Sequence, residues 1–174
     1  RPPSNDPDTT MRFTFRIAAL LGAALLTGCA MHGGHGGFAG GGETPSHGLV
    51  AMKSPYPPAE TMNRLEAQVK RRNLAVVARV DHAGAAQRIG QALRPTELLI
   101  FGNPQAGTPL MQCSQRVGID LPVKALVWAD EAGQTWLGYN DPRWTMHRHG
   151  VRDCPAAEQI GKALSGIAQE TVAR

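Results

Sequence analysis

The chain has 174 residues and a formal net charge of +4 at pH 7, and this length is enough for one domain with a buried core. Aromatic residues make up 5% and charged residues 18% of the chain, so the core must be built mainly from aliphatic side chains. No stretch groups its Lys and Arg residues with aromatic residues, and we therefore expect no nucleic-acid partner.

The first 28 residues are typical of an export signal. Residues 1–10 are polar and Pro-rich, and we interpret them as a non-native upstream extension before a start at Met11. Arg12 and Arg16 then precede an apolar run, Ile17 to Leu26. That run is too short to span a bilayer as a mature helix, but it suits the core of a signal peptide. We therefore predict a signal peptide over residues 11–28.

The signal ends in Leu26-Thr27-Gly28-Cys29, which resembles the lipobox of bacterial lipoproteins. This resemblance implies that Cys29 is acylated, for example with palmitate, and that the membrane is a partner through this anchor. Several acyl chains hold a protein on a membrane stably, whereas one chain holds it marginally. Ala30 follows the cysteine. By resemblance to known sorting rules, this favours the periplasmic side of the outer membrane.

Residues 29–48 form the predicted lipid anchor and tether. Eight of the seventeen residues from His32 to Gly48 are glycine, and such a segment cannot bury enough surface to fold. As a flexible chain it would reach roughly 20–25 Å. Its histidines (His32, His35 and His47) fit either weak metal binding or a solvated linker.

The remaining residues, 49–174, show the periodicity of a folded domain. Hydrophobic spacing, turn residues and prolines predict the following elements in chain order: a strand over 49–54, a helix from Pro57 to about Arg72, a strand over 74–80, a helix over 83–93, a strand over 97–101, a short helix from Thr108 to about Gln115, a turn over 118–122, a hairpin of strands 123–129 and 134–139, and a last helix from Pro155.

The predicted hairpin requires antiparallel pairing, and the two long helices can both cover one face of a sheet. The sequence therefore predicts a two-layer α+β domain, with an antiparallel sheet and two main helices.

Several short motifs keep one order along this domain: Asp81-His82-Ala83, then FGNP at 101–104, DLP at 120–122, YNDP at 139–142 and RHG at 148–150. In this order and spacing the chain, over roughly residues 48–172, resembles the domain-of-unknown-function family 302. The resemblance implies a compact antiparallel sheet with two main helices, similar to a TATA-binding-protein-like unit. It implies no reaction, and a shared fold does not imply DNA binding.

Four polar residues are candidates for a ligand site. Asp81 and His82 end a strand that is otherwise Leu, Ala, Val and Arg, Lys124 begins one hairpin strand, and Tyr139 ends the other. The predicted register makes Lys124 and Tyr139 cross-strand neighbours. Together the four side chains could bind a small anionic or carbonyl ligand, with Asp81 orienting His82 for proton transfer. In the alternative interpretation Asp81 only caps the following helix and Lys124 is solvated.

Two further features allow more than one interpretation. His147 and His149 are a weak candidate for a metal site, since only two ligands are local and zinc needs three or four; the alternative is two surface histidines. Trp128, Trp136 and Trp144 surround the hairpin, where they could line an apolar pocket or pack on the sheet.

Once Cys29 is lipidated, Cys113 and Cys154 are the remaining cysteines. In an oxidising compartment they are expected to form a disulfide. The alternative is two separate buried thiols.

Three functional classes fit these observations: a noncatalytic small-ligand-binding or sensing module on a tether, an enzyme that uses His82 as acid or base, and an interaction module of the envelope, for instance a homodimer through sheet edges. We favour the first class because no nucleotide, nucleophile or cofactor motif is present. For the same reason we expect no cofactor.

Overall fold

A computed structural model describes residues 47–174. The predicted extension, the signal peptide, the lipidated Cys29 and all but the last two residues of the tether lie outside the described residues. Within residues 47–174, every helix is too short or too polar to cross a bilayer.

The described residues form five strands, five α-helices and one 3₁₀ helix. In chain order these are β1 (Leu49–Lys53), α1 (Pro58–Arg71), β2 (Ala75–Asp81), α2 (His82–Arg88), β3 (Thr96–Gly102), α3 (Pro104–Cys113), the 3₁₀ helix (Gln115–Asp120), β4 (Val123–Ala129), β5 (Thr135–Asn140), α4 (Pro142–Arg148) and α5 (Pro155–Val172).

The strands form one antiparallel sheet in the order β1-β5-β4-β3-β2. Strands β1 and β2 are therefore its edges. The long helices α1 and α5 pack against each other and on the same face of the sheet. This arrangement confirms the predicted two-layer α+β fold with two main helices.

The core lies between this pair of helices and the sheet. Helix α1 contributes Met62, Leu65 and Val69, which recur at helical spacing and are each at most 1% exposed. The other buried members come from the three central strands and α5: Leu99, Phe101, Ala125, Val127, Leu137, Tyr139, Leu164, Ile167 and Ala168.

A second, smaller cluster holds α3, the 3₁₀ helix and α4 against the start of α5. Leu110, Val117, Met146 and Cys154 are buried in it. Cys113 and Cys154 form a disulfide with their Cα atoms 6.1 Å apart, within the range that disulfides require. The structure thus contains the cysteine pair expected from the sequence.

Two helices differ from their predicted limits, and one helix lies where none was expected. Helix α2 ends at Arg88 rather than near 93. Helix α3 begins at Pro104, because Asn103 accepts a hydrogen bond from the backbone N–H of Ala106 and caps the helix early. Helix α4 was not predicted. It begins at Pro142, directly after the capping residue Asp141.

Candidate functional site

The residues predicted to share a polar site lie on separate parts of the sheet. Asp81 ends the edge strand β2, and its side chain accepts a hydrogen bond of 2.8 Å from the backbone N–H of Gly84. His82, the first residue of α2, is exposed. The capping interpretation therefore describes Asp81.

Lys124 and Tyr139 point to opposite faces of the sheet. In the β4–β5 ladder Tyr139 pairs with Ala125, so these two residues share a face and Lys124 points the other way. The Lys124 ammonium donates hydrogen bonds to the carbonyls of Asp120 and Pro122, at 2.7 and 3.2 Å. Tyr139 is 6% exposed in the core, where burial raises the pKa of its phenol.

The prediction of one site built from Asp81, His82, Lys124 and Tyr139 is therefore wrong. Strand β2 lies two strands from β4 and three from β5, or roughly 10 and 14 Å at the usual strand spacing. The hairpin register also differs by one residue from the predicted one, and a shift of one residue moves a side chain to the other face.

A different cluster of charged groups surrounds Asp120, at the end of the 3₁₀ helix. One carboxylate oxygen accepts a hydrogen bond from Arg148, and the other lies 2.6 Å from His149 Nε2. Because an ionised carboxylate can only accept, His149 carries its proton on Nε2. Burial by itself would raise the pKa of Asp120, but the hydrogen bonds from Arg148 and His149 outweigh it and lower the pKa below 3.8.

This cluster joins several of the motifs noted in the sequence. Asp120 belongs to DLP, and its partners Arg148 and His149 belong to RHG. A Cβ added to Gly102 of FGNP would lie 3.7 Å from the Pro122 side chain. In YNDP, Asp141 accepts a hydrogen bond of 2.7 Å from the backbone N–H of Arg143 and so caps α4. The motifs thus fix one end of the sheet to α3 and α4.

A small cavity of about 30 Å³ adjoins Asp120, with Lys124, Asn140 and Thr145 among its lining residues. Its volume suits a single water molecule rather than an organic ligand. The Asp120 cluster is therefore a structural centre, in which charged hydrogen bonds hold loops together.

The two histidines that formed the weak candidate for a metal site, His147 and His149, have different surroundings. His149 is bound to Asp120, while His147 is exposed near the end of α4. Within residues 47–174, no group of three or more His, Cys, Asp or Glu side chains is placed to hold a metal ion.

The tryptophans do not line a pocket together. Trp128 and Trp136 stack with their ring centroids 6.2 Å apart. Trp144 lies beneath the Arg148 guanidinium, 5.6 Å from its ring centre.

A groove between α1 and α5 has a volume of about 430 Å³. We call it the α1–α5 groove. Its volume lies in the range of small-molecule sites. It is lined by Arg64, Ala67, Gln68, Arg71, Glu170, Ala173 and Arg174.

Two of its side chains are held firmly. The guanidinium of Arg64 donates hydrogen bonds of 2.7 Å to the carbonyls of Thr171 and Ala173, and it stacks 3.9 Å from the Tyr56 ring centre. Glu170 is paired with Arg72 at 2.6 Å. Since the Glu170 carboxylate already has a partner, the side chains that line the groove keep an excess of positive charge.

Gln68 is the unusual residue of the groove. It is 8% exposed, and its Oε1 atom is buried with no hydrogen-bond partner among the described residues. Its Nε2 makes a long contact of 3.5 Å to the Glu170 carbonyl. Buried polar atoms are nearly always hydrogen-bonded, so this acceptor needs a partner that the described residues do not supply.

Comparison with known proteins assigns the chain to a protein family. The model of the domain of unknown function DUF302 matches residues 50–171. The chain belongs to the DUF302 family. The crystal structure of a conserved DUF302 protein from Bacillus stearothermophilus aligns with a TM-score of 0.66 and 22% identity, over 71% of this chain and 98% of that one. At this identity the likeness shows the fold.

Curated relatives of this DUF302 chain carry the name fluoride-specific ion channel. The chain is 48% identical over 104 residues to FluC 1 of Brucella suis biovar 1 (strain 1330), a match that covers 60% of this chain and 41% of the relative. The identity to FluC 1 of Brucella abortus biovar 1 (strain 9-941) is also 48%, over 38% of that protein. The chain therefore spans about two fifths of the length of these relatives.

Sequence reasoning missed both Gln68 and Asp120. Gln68 carries a signal that could have been found: it falls three residues after Leu65 and one before Val69, on the buried stripe of α1. A polar residue on that stripe needs a partner. Asp120 stands in the DLP motif, but no local signal pairs it with His149, which lies 29 residues away in sequence.

Proposed function

We propose that this chain is an envelope lipoprotein, anchored through Cys29, whose DUF302 domain binds a small organic anion without chemical turnover. The observation that carries the proposal is the unpartnered Oε1 atom of Gln68 in an arginine-lined groove. The anchor rests on the lipobox-like run that ends at Cys29.

The charge of the groove selects an anion. Arg71 and Arg174 are exposed at its rim, and a guanidinium binds a carboxylate through two parallel hydrogen bonds. Arg64 is already bound to backbone carbonyls of the α5 end, so it contributes charge and a fixed wall rather than new hydrogen bonds.

Gln68 selects a ligand that also carries a hydrogen-bond donor. Its free Oε1 atom can only accept, and Gln68 is among the residues that line the groove with the arginines. A carboxylate with a neighbouring hydroxyl or amide N–H meets both requirements. We therefore propose hydroxy- or amido-carboxylates as the ligand class.

The lining favours binding over catalysis. Arginine and glutamine side chains do not exchange protons near neutral pH, and the one side-chain carboxylate of the lining, Glu170, is engaged by Arg72. His82, the acid or base of the alternative enzyme hypothesis, is not among the residues that line the groove.

The names of the Brucella relatives make fluoride a second candidate anion. Fluoride carries no hydrogen-bond donor, so it would leave Gln68 Oε1 unpaired. The two candidates can therefore be distinguished by the Gln68 dependence of binding.

Isothermal titration calorimetry of the full chain in detergent tests the proposal with three probes: glycolate, acetate and fluoride. Glycolate carries a hydroxyl next to its carboxylate, whereas acetate does not. We expect glycolate to bind more tightly than acetate. Gln68→Met, which keeps the shape but removes the acceptor, should abolish this difference. Arg71→Gln should weaken the binding of glycolate and of acetate about tenfold, as expected for the loss of one charge-assisted hydrogen bond.

The matched control is Lys162→Gln, which removes one exposed positive charge from α5 outside the groove; it should change no affinity. Equal binding of glycolate and acetate, or weakening by Lys162→Gln as large as that by Arg71→Gln, would contradict the proposal. Fluoride binding that is independent of Gln68 would support the second candidate instead.

A further inference from the structure

The point where the predicted tether enters the domain is held in place. Gly48 is buried, and a Cβ atom added to it would lie 2.1 Å from the Trp144 ring, so its backbone lies directly against the indole. Its carbonyl accepts a hydrogen bond of 2.8 Å from the backbone N–H of Asp141. The next residue, Leu49, begins strand β1 opposite Asn140. The tether therefore joins the domain at a fixed point beside helix α4.

The predicted tether is short relative to the domain. Its reach as a flexible chain is roughly 20–25 Å, whereas a folded unit of the size of residues 47–174 is roughly 35 Å across. To turn the far side of the domain toward the membrane, the tether would have to extend along the whole domain, which costs conformational entropy. If Cys29 is the lipid anchor, as the proposed function holds, the surface next to Gly48 therefore faces the bilayer.

Helix α4 gives this surface a basic character. It reads Pro-Arg-Trp-Thr-Met-His-Arg and has no acidic residue. Pro142 and Met146 are its buried residues, whereas Arg143, His147 and Arg148 are exposed. Since residues four apart share a helix face, Arg143 and His147 lie side by side on the outer surface. The helix thus packs its apolar side on the domain and turns its cationic side outward.

The carboxylates that pair with the two arginines are less exposed than the arginines themselves. The Arg143 side chain is 49% exposed, and that of its partner Asp141 is 7% exposed. The Arg148 side chain is 47% exposed, and that of its partner Asp120 is 24% exposed. Arg148 also lies over the Trp144 ring, 5.6 Å from its centre. Basic side chains bind anionic lipid headgroups, and tryptophan favours the boundary between lipid and water.

From these observations we infer that the outer surface of α4 contacts anionic lipid headgroups beside the anchor. The inference rests on the lipid anchor of the proposed function and adds an orientation to it. A tether alone holds the domain near the membrane, whereas the contact through α4 holds one side of the domain against the bilayer.

This orientation leaves the α1–α5 groove uncovered. A Cβ added to Gly161 of α5 would lie 3.8 Å from Pro142, so α4 packs on the first half of α5. Glu170, which lines the groove, lies nine residues further along α5, or roughly 14 Å along the helix axis. The membrane contact and the groove are therefore separate surfaces of the domain.

Fluorescence quenching of the full chain, extracted with its lipid and placed in vesicles, tests the inference. The exposed His147 is replaced (His147→Cys) and labelled with the thiol-reactive dye NBD; with Cys29 acylated and the Cys113–Cys154 disulfide intact, the dye reacts with the new thiol. The vesicles contain phosphatidylcholine, anionic phosphatidylglycerol and a lipid with a nitroxide on its headgroup, which quenches nearby dye.

The matched control is Ala132→Cys with the same dye. Ala132 is exposed in the turn between β4 and β5, at the end of β5 opposite to Asn140 and roughly 20 Å from it. We expect the quenching at position 147 to be several-fold stronger than at position 132. In vesicles without phosphatidylglycerol, the quenching at 147 should fall, because the anionic headgroups are missing. Circular dichroism should show that both labelled chains keep the fold.

Flotation of the vesicles on a density gradient separates a failure of the anchor from a failure of the orientation. A chain that does not float with the vesicles contradicts the lipid anchor and this inference with it. A chain that floats, but is quenched equally at 147 and 132 or more strongly at 132, overturns this inference and leaves the anchor intact. Quenching at 147 that is equal in neutral and anionic vesicles also overturns it, because the contact would then not depend on headgroup charge.

Discussion

Asp120 fixes the loops at one end of the sheet through Arg148 and His149. Its carboxylate binds Arg148 and His149, and 24% of its side chain is exposed. The net lowering of its pKa below 3.8 means that the folded protein stabilises the ionised form. This contribution to stability is therefore complete above the unfolded pKa and is lost as the pH falls through the folded pKa.

We predict that Asp120→Asn lowers the free energy of unfolding by about 1–3 kcal/mol at neutral pH, because the amide carries no negative charge for Arg148 and turns an NH₂ group toward one of the two donors. The difference from the unmodified protein should shrink as the pH falls below about 4. Urea unfolding at several pH values measures both effects. Asp153→Asn, at an exposed position, is the control and should have little effect. A loss of equal size at every pH would refute the electrostatic explanation.

At the residue scale, features that depend only on neighbouring residues could be predicted from the sequence. The possibility that Asp81 caps a helix follows from its place before α2, and the structure shows this cap. The shared site failed because it required a particular hairpin register. Tyr139 is opposite Ala125 rather than Lys124, and hydrophobic pattern alone does not fix a strand end to within one residue.

The small cluster around Cys113 and Cys154 holds α3 to the beginning of α5. The disulfide closes a separation of 41 residues, and Cys154 is 7% exposed. Since the rest of this cluster is small, the crosslink should supply much of its stability.

We predict that Cys113→Ser together with Cys154→Ser lowers the free energy of unfolding by about 4 kcal/mol, the chain-entropy value for a loop of this length. Urea unfolding of the double variant, compared with the oxidised and the reduced protein, measures it. The reduced protein should resemble the double variant. If all three forms unfold at the same urea concentration, the disulfide does not stabilise the domain.

At the element scale, long periodic segments were predicted well and short ones poorly. Helix α1 and the hairpin were recognised from spacing and turn residues, and their limits differ little from those observed. Helix α4 was missed although Asp141-Pro142 is a good cap and first turn. It has only seven residues, and its burial comes from packing against α5 and the 3₁₀ helix, which local sequence does not reveal.

For the whole molecule, the proposal combines an anchor, a tether and a binding domain. We predict that the chain, expressed with its signal, fractionates with membranes and enters detergent, because Cys29 is acylated. Cys29→Ser should move it out of the membrane fraction, whereas Cys113→Ser should not. Immunoblots of separated fractions decide this. Identical fractionation of the unmodified chain and Cys29→Ser would exclude a lipid anchor at this position.

The central claim is that the α1–α5 groove binds a small carboxylate through Gln68. The most direct measurement follows the Gln68 side-chain amide in ¹H–¹⁵N NMR spectra during titration with glycolate. We predict saturable shifts of this amide and of the backbone amides of Ala67 and Arg71, with the Asp120 and His149 signals unchanged. Shifts that are absent from Gln68, or that concentrate around Asp120 and His149, would contradict the claim.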